Sequence, residues 1–203
     1  MNSKLIAAFL TSMGILTVIG STARSAPRQP NVVFLLADQW RAQALGYAGD
    51  PNVRTPQLDQ LATQGVILRT MVSTCPVCSP YRGSLITGRY PTTHGIFVND
   101  VCLNQEAVSL AQAFKQAGYR TAYIGKWHLD GHGRSSFIPP ERRQGFEFWR
   151  ACECTHAYNR SLYYGETEQK QYCNGYDAFA QTAAACAYIQ EQRRQPFLLV
   201  LSW

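Results

Sequence analysis

Two unbroken apolar runs, Asn31 to Ala37 and Pro196 to Trp203, constrain the fold of this chain more than any other feature. The first reads Asn-Val-Val-Phe-Leu-Leu-Ala. Apolar, β-branched stretches without polar alternation are strands buried on both faces, as in a parallel sheet covered by helices. Between the two runs, strand and helix patterns alternate. Thr55-Pro56 caps and starts a short helix with Leu58, Leu61 and Ala62 on one face and Gly65 at its end. Val66 to Met71 reads as the next strand. Asn104 caps a stronger helix in which Ala107, Leu110, Ala111, Phe114 and Ala117 recur at helical spacing until Gly118. Tyr119 to Ile124 is a further strand, and Asp177 caps a helix running to about Glu191. From Asp130 to Gly175 periodicity is weak, and the segment reads as long loops over one face of the domain. The alternation predicts an α/β sandwich with a mainly parallel central sheet. Ligands in such sheets bind beyond the carboxyl ends of the strands, which places Asp38 at a binding position.

The chemistry concentrates in Cys78-Ser79-Pro80-Tyr81-Arg82-Gly83-Ser84-Leu85-Ile86-Thr87-Gly88-Arg89. Ser79-Pro80 reads as a helix start, Ser at the cap and Pro at the first helical position. Cys78 then lies at a helix N-terminus, where unpaired N–H groups and the helix dipole favour negative charge. Arg82, one turn on, can reach back over the same spot. The pattern suits a reactive side chain that meets an anion. A competing reading takes Cys75 and Cys78 as half of a zinc knuckle or as a redox dithiol. Zinc needs a second pair, and Cys152 and Cys154 stand only one residue apart, with His156 nearby.

The segment resembles the type I sulfatase signature, Cys-x-Pro-x-Arg followed by Leu-x-Thr-Gly-Arg, and only the register starting at Cys78 fits. Pro30-Asn31-Val32-Val33 through Ala37-Asp38 resembles that family's first strand and metal-binding aspartate. Gly125-Lys126-Trp127-His128-Leu129 resembles its Gly-Lys-Trp-His segment. The resemblance implies the alkaline phosphatase/sulfatase fold and hydrolysis of sulfate esters. It implies that Cys78 is converted to formylglycine (3-oxoalanine) by a maturation enzyme, its hydrate serving as nucleophile. Asp38, Gln39 and the residue derived from Cys78 would bind a divalent cation, calcium in the family. Many members carry a second aspartate where this chain has Gln39, whose amide brings an oxygen but no charge. Arg82 would stabilise the ionised hydrate, Lys126 would bind sulfate oxygens, and His128 would be the base that regenerates the aldehyde. Lys126 and His128, two apart on an extended segment, should face the same way. His94 reads as a structural histidine, and Trp127 as packing.

The charge of +6 is partly absorbed by Arg82, Arg89 and Lys126, which suits a small anionic substrate such as a sulfated sugar. No basic run interleaved with aromatics points to nucleic acid. Residues 1–25 have the order of a secretory signal peptide: Lys4, an apolar run from Leu5 to Ile19, then small residues, with cleavage near 23–26. The run is short for a membrane span, so removal is favoured over an uncleaved anchor, and export to an oxidising compartment follows. Of seven cysteines, six remain for pairing once Cys78 is modified. Residues 30–203 match only the N-terminal part of the resembled catalytic domain, and Trp203 falls inside an apolar strand. The expectation is therefore a chain truncated in its C-terminal half, lacking the family's later metal and sulfate ligands and inactive as it stands. Three readings stand: part of an exported sulfatase, a formylglycine-dependent phosphodiester or phosphonate monoester hydrolase, or a non-catalytic remnant.

Overall fold

The computed structural model describes residues 29–191 and 194–203, so the expected signal peptide lies outside the described residues. Four strands form one parallel sheet: β1 (Val32–Leu36), β6 (Phe197–Ser202), β2 (Arg120–Lys126) and β3 (Phe148–Cys152), in that spatial order. A two-stranded antiparallel ribbon, β4 (Leu162–Tyr163) and β5 (Gln171–Tyr172), lies outside it. Among the described residues five α-helices accompany the strands: α1 (Pro56–Gln64), α2 (Cys78–Thr87), α3 (Pro91–His94), α4 (Leu110–Gln116) and α5 (Asp177–Gln190).

Alternate residues of the central strands feed two cores. Tyr123, Leu198 and Val200 pack with Ile86 of α2, Ala111 of α4 and the rings of Trp127, Phe146 and Trp149. Ala122, Ile124, Leu199 and Leu201 face the other way, onto Ala185 and Tyr188 of α5. The period-2 alternation of a strand thus makes a three-layer α/β/α domain, as expected. The buried aromatic cluster is close-knit, with Tyr123 and Trp127 ring centroids 4.9 Å apart and edge-on.

Several expectations change. β6 is buried at every position, but β1 lies at the sheet edge, and its Val33 and Leu35 are 43% and 50% exposed. An apolar run does not distinguish a central strand from an edge strand. Val66 to Met71 forms no strand; Val66, Leu68 and Met71 are exposed. Asn104 caps no helix; its Oδ1 accepts from the Glu106 N–H in a local turn. The helix starts at Ser109, whose hydroxyl and backbone exchange hydrogen bonds with Gln112 in a capping box. Phe148–Cys152, expected as loop, is a sheet strand beside β2. Among the described residues, no helix is long and apolar enough to cross a membrane.

Candidate active site

The site sits where β1, β2 and β6 end and α2 begins. The helix starts two residues earlier than Ser79-Pro80 suggests: Val77 is the extended cap and Cys78 the first helical residue. Pro80 still falls within the first turn, where its missing N–H leaves no bond unmade. Val77 has no oxygen to cap the helix. The Ser79 N–H finds Asn99 Oδ1 instead, at 2.9 Å. Gly83 is needed on the next turn, because a Cβ there would lie 2.8 Å from the His94 ring.

Four expected site residues converge. Asp38, just beyond β1, and Lys126, at the end of β2, meet with Lys126 Nζ 2.5 Å from Asp38 Oδ2. The same ammonium lies 3.3 Å from Cys78 Sγ, which is 3.9 Å from both Asp38 oxygens. Arg82 reaches Asp38 Oδ2 at 3.3 Å from a side chain only 3% exposed. Its other amino nitrogen donates to the Lys126 carbonyl at 2.5 Å, Ser202 Oγ at 2.8 Å and Tyr123 Oη at 3.2 Å. Burial pushes the Asp38 carboxyl up, but the hydrogen bond from Lys126 and the charges of Arg82 and Lys126 outweigh it and hold Asp38 below the usual carboxylate range. Burial likewise opposes the Lys126 charge, and Asp38 more than compensates, raising the lysine. The result is that Cys78 lies under two cations, balanced by one carboxylate.

The close fit of β2 against β6 at this end depends on Gly125. Its φ is +104°, and any Cβ there would overlap the Ser202 carbonyl. Beyond it, Lys126 and His128 do not share an extended segment. His128 is left-handed, with φ +57°, so the expectation that alternation aligns the two side chains is wrong. The His128 ring is buried. Its Nε2 pairs with Asp100 Oδ1 at 2.9 Å, and its carbonyl accepts from Ser79 Oγ at 2.7 Å. Burial depresses the imidazole, and the Lys126 and Arg82 charges act the same way against the support of Asp100, so it is held neutral. Arg134 grips Asp100 through two hydrogen bonds of 2.9 and 2.7 Å. The loop after His128 is anchored by buried Glu153, which accepts from the backbone N–H of Leu129, Asp130 and Gly131.

A cleft of about 640 Å³ opens beside Cys78, Asp38 and Lys126. Gln39, left-handed with φ +55° and exposed, lines it, as do Trp40, His156, Tyr158 and Tyr176. The long-loop segment therefore does reach the site. His94 is buried, its Nε2 3.0 Å from Ser84 Oγ and its Nδ1 accepting from Ile96, which makes it part of the packing under α2. All seven cysteines are free. Cys75, Cys78, Cys152, Cys154 and His156 form no metal-ligand cluster among the described residues. The one that does occur is Cys102, Asp130 and His132, where Arg142 already pairs with the Asp130 carboxylate.

Tyr123, Ser202, Asn99, Asp100, Arg134 and Glu153 escaped the sequence reading. Their one legible signal was position: Ser202 ends an apolar strand, and Arg134 follows the Gly131-His132-Gly133 turn.

Comparison with known proteins identifies the family. The sequence profile of the family described as Sulfatase matches residues 30–203. The ulvan-active sulfatase of Formosa agariphila is 51% identical over 87% of this chain and 35% of its own length. An endo-4-O-sulfatase of Bacteroides thetaiotaomicron is 30% identical over 79% of this chain and 39% of its own. The crystal structure of a Bacteroides fragilis sulfatase homologue superposes with a TM-score of 0.80 at 34% identity, covering 90% of this chain and 45% of that one. The chain thus spans less than half the length of each of these three relatives.

Proposed function

The chain belongs to the sulfatase family, and from that premise we propose that it forms the nucleophile-bearing part of an exported sulfate ester hydrolase. The observation that carries this reading is the convergence of Cys78, Asp38, Arg82 and Lys126 from three separate elements onto one end of a parallel sheet. Cys78 is the residue to be converted to formylglycine by a maturation enzyme. That conversion is a two-electron oxidation of Cβ, the electrons passing to the maturation enzyme's own oxidant, in which sulfur leaves as sulfide and oxygen takes its place. The hydrated aldehyde supplies a hydroxyl that attacks sulfur as the S–O bond to the alcohol breaks and the alcohol leaves; sulfate is later released as the C–O bond breaks and the aldehyde re-forms.

The chain's own residues prepare that chemistry. Arg82, fixed by three neutral acceptors and Asp38, presents a charge that needs no reorganisation as an oxyanion develops. Lys126 is close enough to Cys78 to bind a sulfate oxygen. His128, buried and neutral, can receive a proton. The donor set also fits a hard divalent cation such as calcium. Asp38 turns a carboxylate toward Cys78, and Gln39, the next residue, also lines the cleft. These two would hold the ion together with the modified residue, supplying part of the six to eight oxygens calcium takes, roughly. When bound, the ion would lower the pKa of the nucleophilic hydroxyl.

The relatives' names, ulvan-active and endo-4-O-sulfatase, favour a sulfated sugar as substrate. The cleft's Trp40, Tyr158 and Tyr176 suit a sugar ring, whose C–H faces pack on aromatic rings. The test is mass spectrometry of the tryptic peptide from Thr70 to Arg82, from a host that matures sulfatases. One alkylatable cysteine, Cys75, and one aldehyde are expected. Two alkylated cysteines would end the reading. Assaying matched aryl sulfate, aryl phosphate and phosphodiester substrates then separates a sulfatase from a phosphodiester hydrolase built on the same nucleophile.

A further inference from the structure

The contacts around His128 specify more than a neutral base. Its ring is 2% exposed, yet only one ring nitrogen is partnered: Nε2 meets Asp100 Oδ1, while Nδ1 is buried without a hydrogen bond. A buried, unpaired ring nitrogen costs free energy in a structural histidine, on the order of 1–3 kcal/mol, so its persistence calls for an explanation. Asp100 receives two hydrogen bonds from Arg134 besides the imidazole, so its carboxylate is ionised and can only accept. An acceptor opposite Nε2 requires that Nε2 carry the proton. In the neutral ring the lone pair must then sit on Nδ1.

Backbone geometry points to the same arrangement. Asp100 and His128 are both left-handed, at φ +64° and +57°, two of only four non-glycine residues in that region among the described residues. Unusual backbone conformations of this kind persist where the surroundings enforce them and cluster at functional sites. The adjacent Asn99 holds the Ser79 N–H, and Ser79 Oγ holds the His128 carbonyl. The Asn99-Asp100 turn therefore fixes the nucleophile's helix and the histidine relative to one another.

We propose that Asp100, locked by Arg134, is a positioning residue that keeps His128 in the Nε2–H tautomer and so makes Nδ1 its proton-accepting atom. In the base step of the sulfatase reading, Nδ1 is then the atom that would take the proton from the second hydroxyl of the sulfated hydrate. The C–O bond to sulfate breaks as the carbonyl forms, and Asp100 stabilises the resulting imidazolium. This rests on the sulfatase reading for the step itself, but the tautomer is a property of the folded protein.

The test therefore begins without turnover. Long-range ¹H–¹⁵N spectra of ¹⁵N-histidine-labelled protein near pH 7, with the His128 signals identified by their loss in H128Q, should show a protonated Nε2 and an unprotonated Nδ1. In D100A this preference should be lost. In matured enzyme, D100A should lower kcat about a hundredfold or more with KM little changed, added formate should restore part of it, and R134A should have a smaller effect. Cys78 conversion should be unaffected. A protonated Nδ1 in the unaltered protein overturns the proposal, as does a D100A kcat within about twofold of the parent, the order of effect expected of a surface carboxylate. Loss of all sulfate ester turnover in the parent, with the Nε2–H spectrum intact, would instead count against the sulfatase reading.

Discussion

Asp38 is held by two cationic side chains and Asp100 by one cation and a neutral imidazole, and the two clusters are built for different work. Asp38 shares Oδ2 between Lys126 and Arg82 and lies on the cleft beside Cys78, with its side chain 27% exposed. Asp100 is 46% exposed and divides itself between Arg134, itself half in solvent, and the buried His128. In the first cluster the carboxylate balances charge that an anionic substrate or a cation can redistribute. In the second it is a fixed strut. Chemistry of the residues does not separate them; burial and bonding of the partners do.

Arginine truncation should separate them most sharply. Arg82→Ala strips donors from Tyr123, Ser202 and the Lys126 carbonyl inside the protein, and should cost about 3 kcal/mol of unfolding free energy along with all turnover. Arg134→Ala, at a solvent-screened pair, should cost far less. Urea titrations of both variants measure the contrast, and equal losses would abolish it.

Lys126→Ala should fall between them in stability, about 1 kcal/mol, because Arg82 still covers Asp38. Its effect on aryl sulfate turnover should be about a hundredfold or more, as for loss of a charge-stabilising donor. A stability loss without a rate loss would make Lys126 a strut as well.

The smallest expected effect lies in the pH dependence. Burial depresses both His128 and His94 in the folded chain. The unfolded chain then binds more protons than the folded one as pH falls below about 6.5, so these histidines make stability decline from there toward acid. His128→Gln should shallow the slope of unfolding free energy between about pH 7 and 5, by less than the two histidines together contribute. An unchanged slope would mean that Asp100 keeps His128 near its ordinary value.

What the sequence revealed of this follows the range of the forces involved. Cys78, Arg82 and Lys126 were legible because each lies in a contiguous motif that fixes its own local geometry. The helix over Asp177–Gln190 and the strand over Phe197–Ser202 were legible from local periodicity. Asp100, Arg134 and Tyr123 were not, because their partners lie 28 to 41 residues away and nothing local marks them. Phe148–Cys152 was missed for a related reason. Its Arg150 pairs with Ile124 of β2, so its strand identity comes from a neighbour and not from its own mixed sequence. The Ser109 helix start was readable in principle, since Ser-x-x-Gln is a capping box; the stronger-looking Asn104 obscured it.

The sheet order also sets a timetable. β6 follows both β1 and β2 in sequence and lies between them, and β1 and β2 do not pair with each other. The Phe197 N–H reaches Asn31 Oδ1 across 166 residues. Closing so long a loop is entropically costly and slow, and neither β1 nor the inner edge of β2 has a ladder partner until it happens. During synthesis the segment through Ser202 must therefore emerge before Asp38 and Lys126 acquire the common neighbour that brings them together. The charge cluster around Cys78 accordingly waits on β6, and until that strand docks the thiol lies outside the grip of its eventual partners.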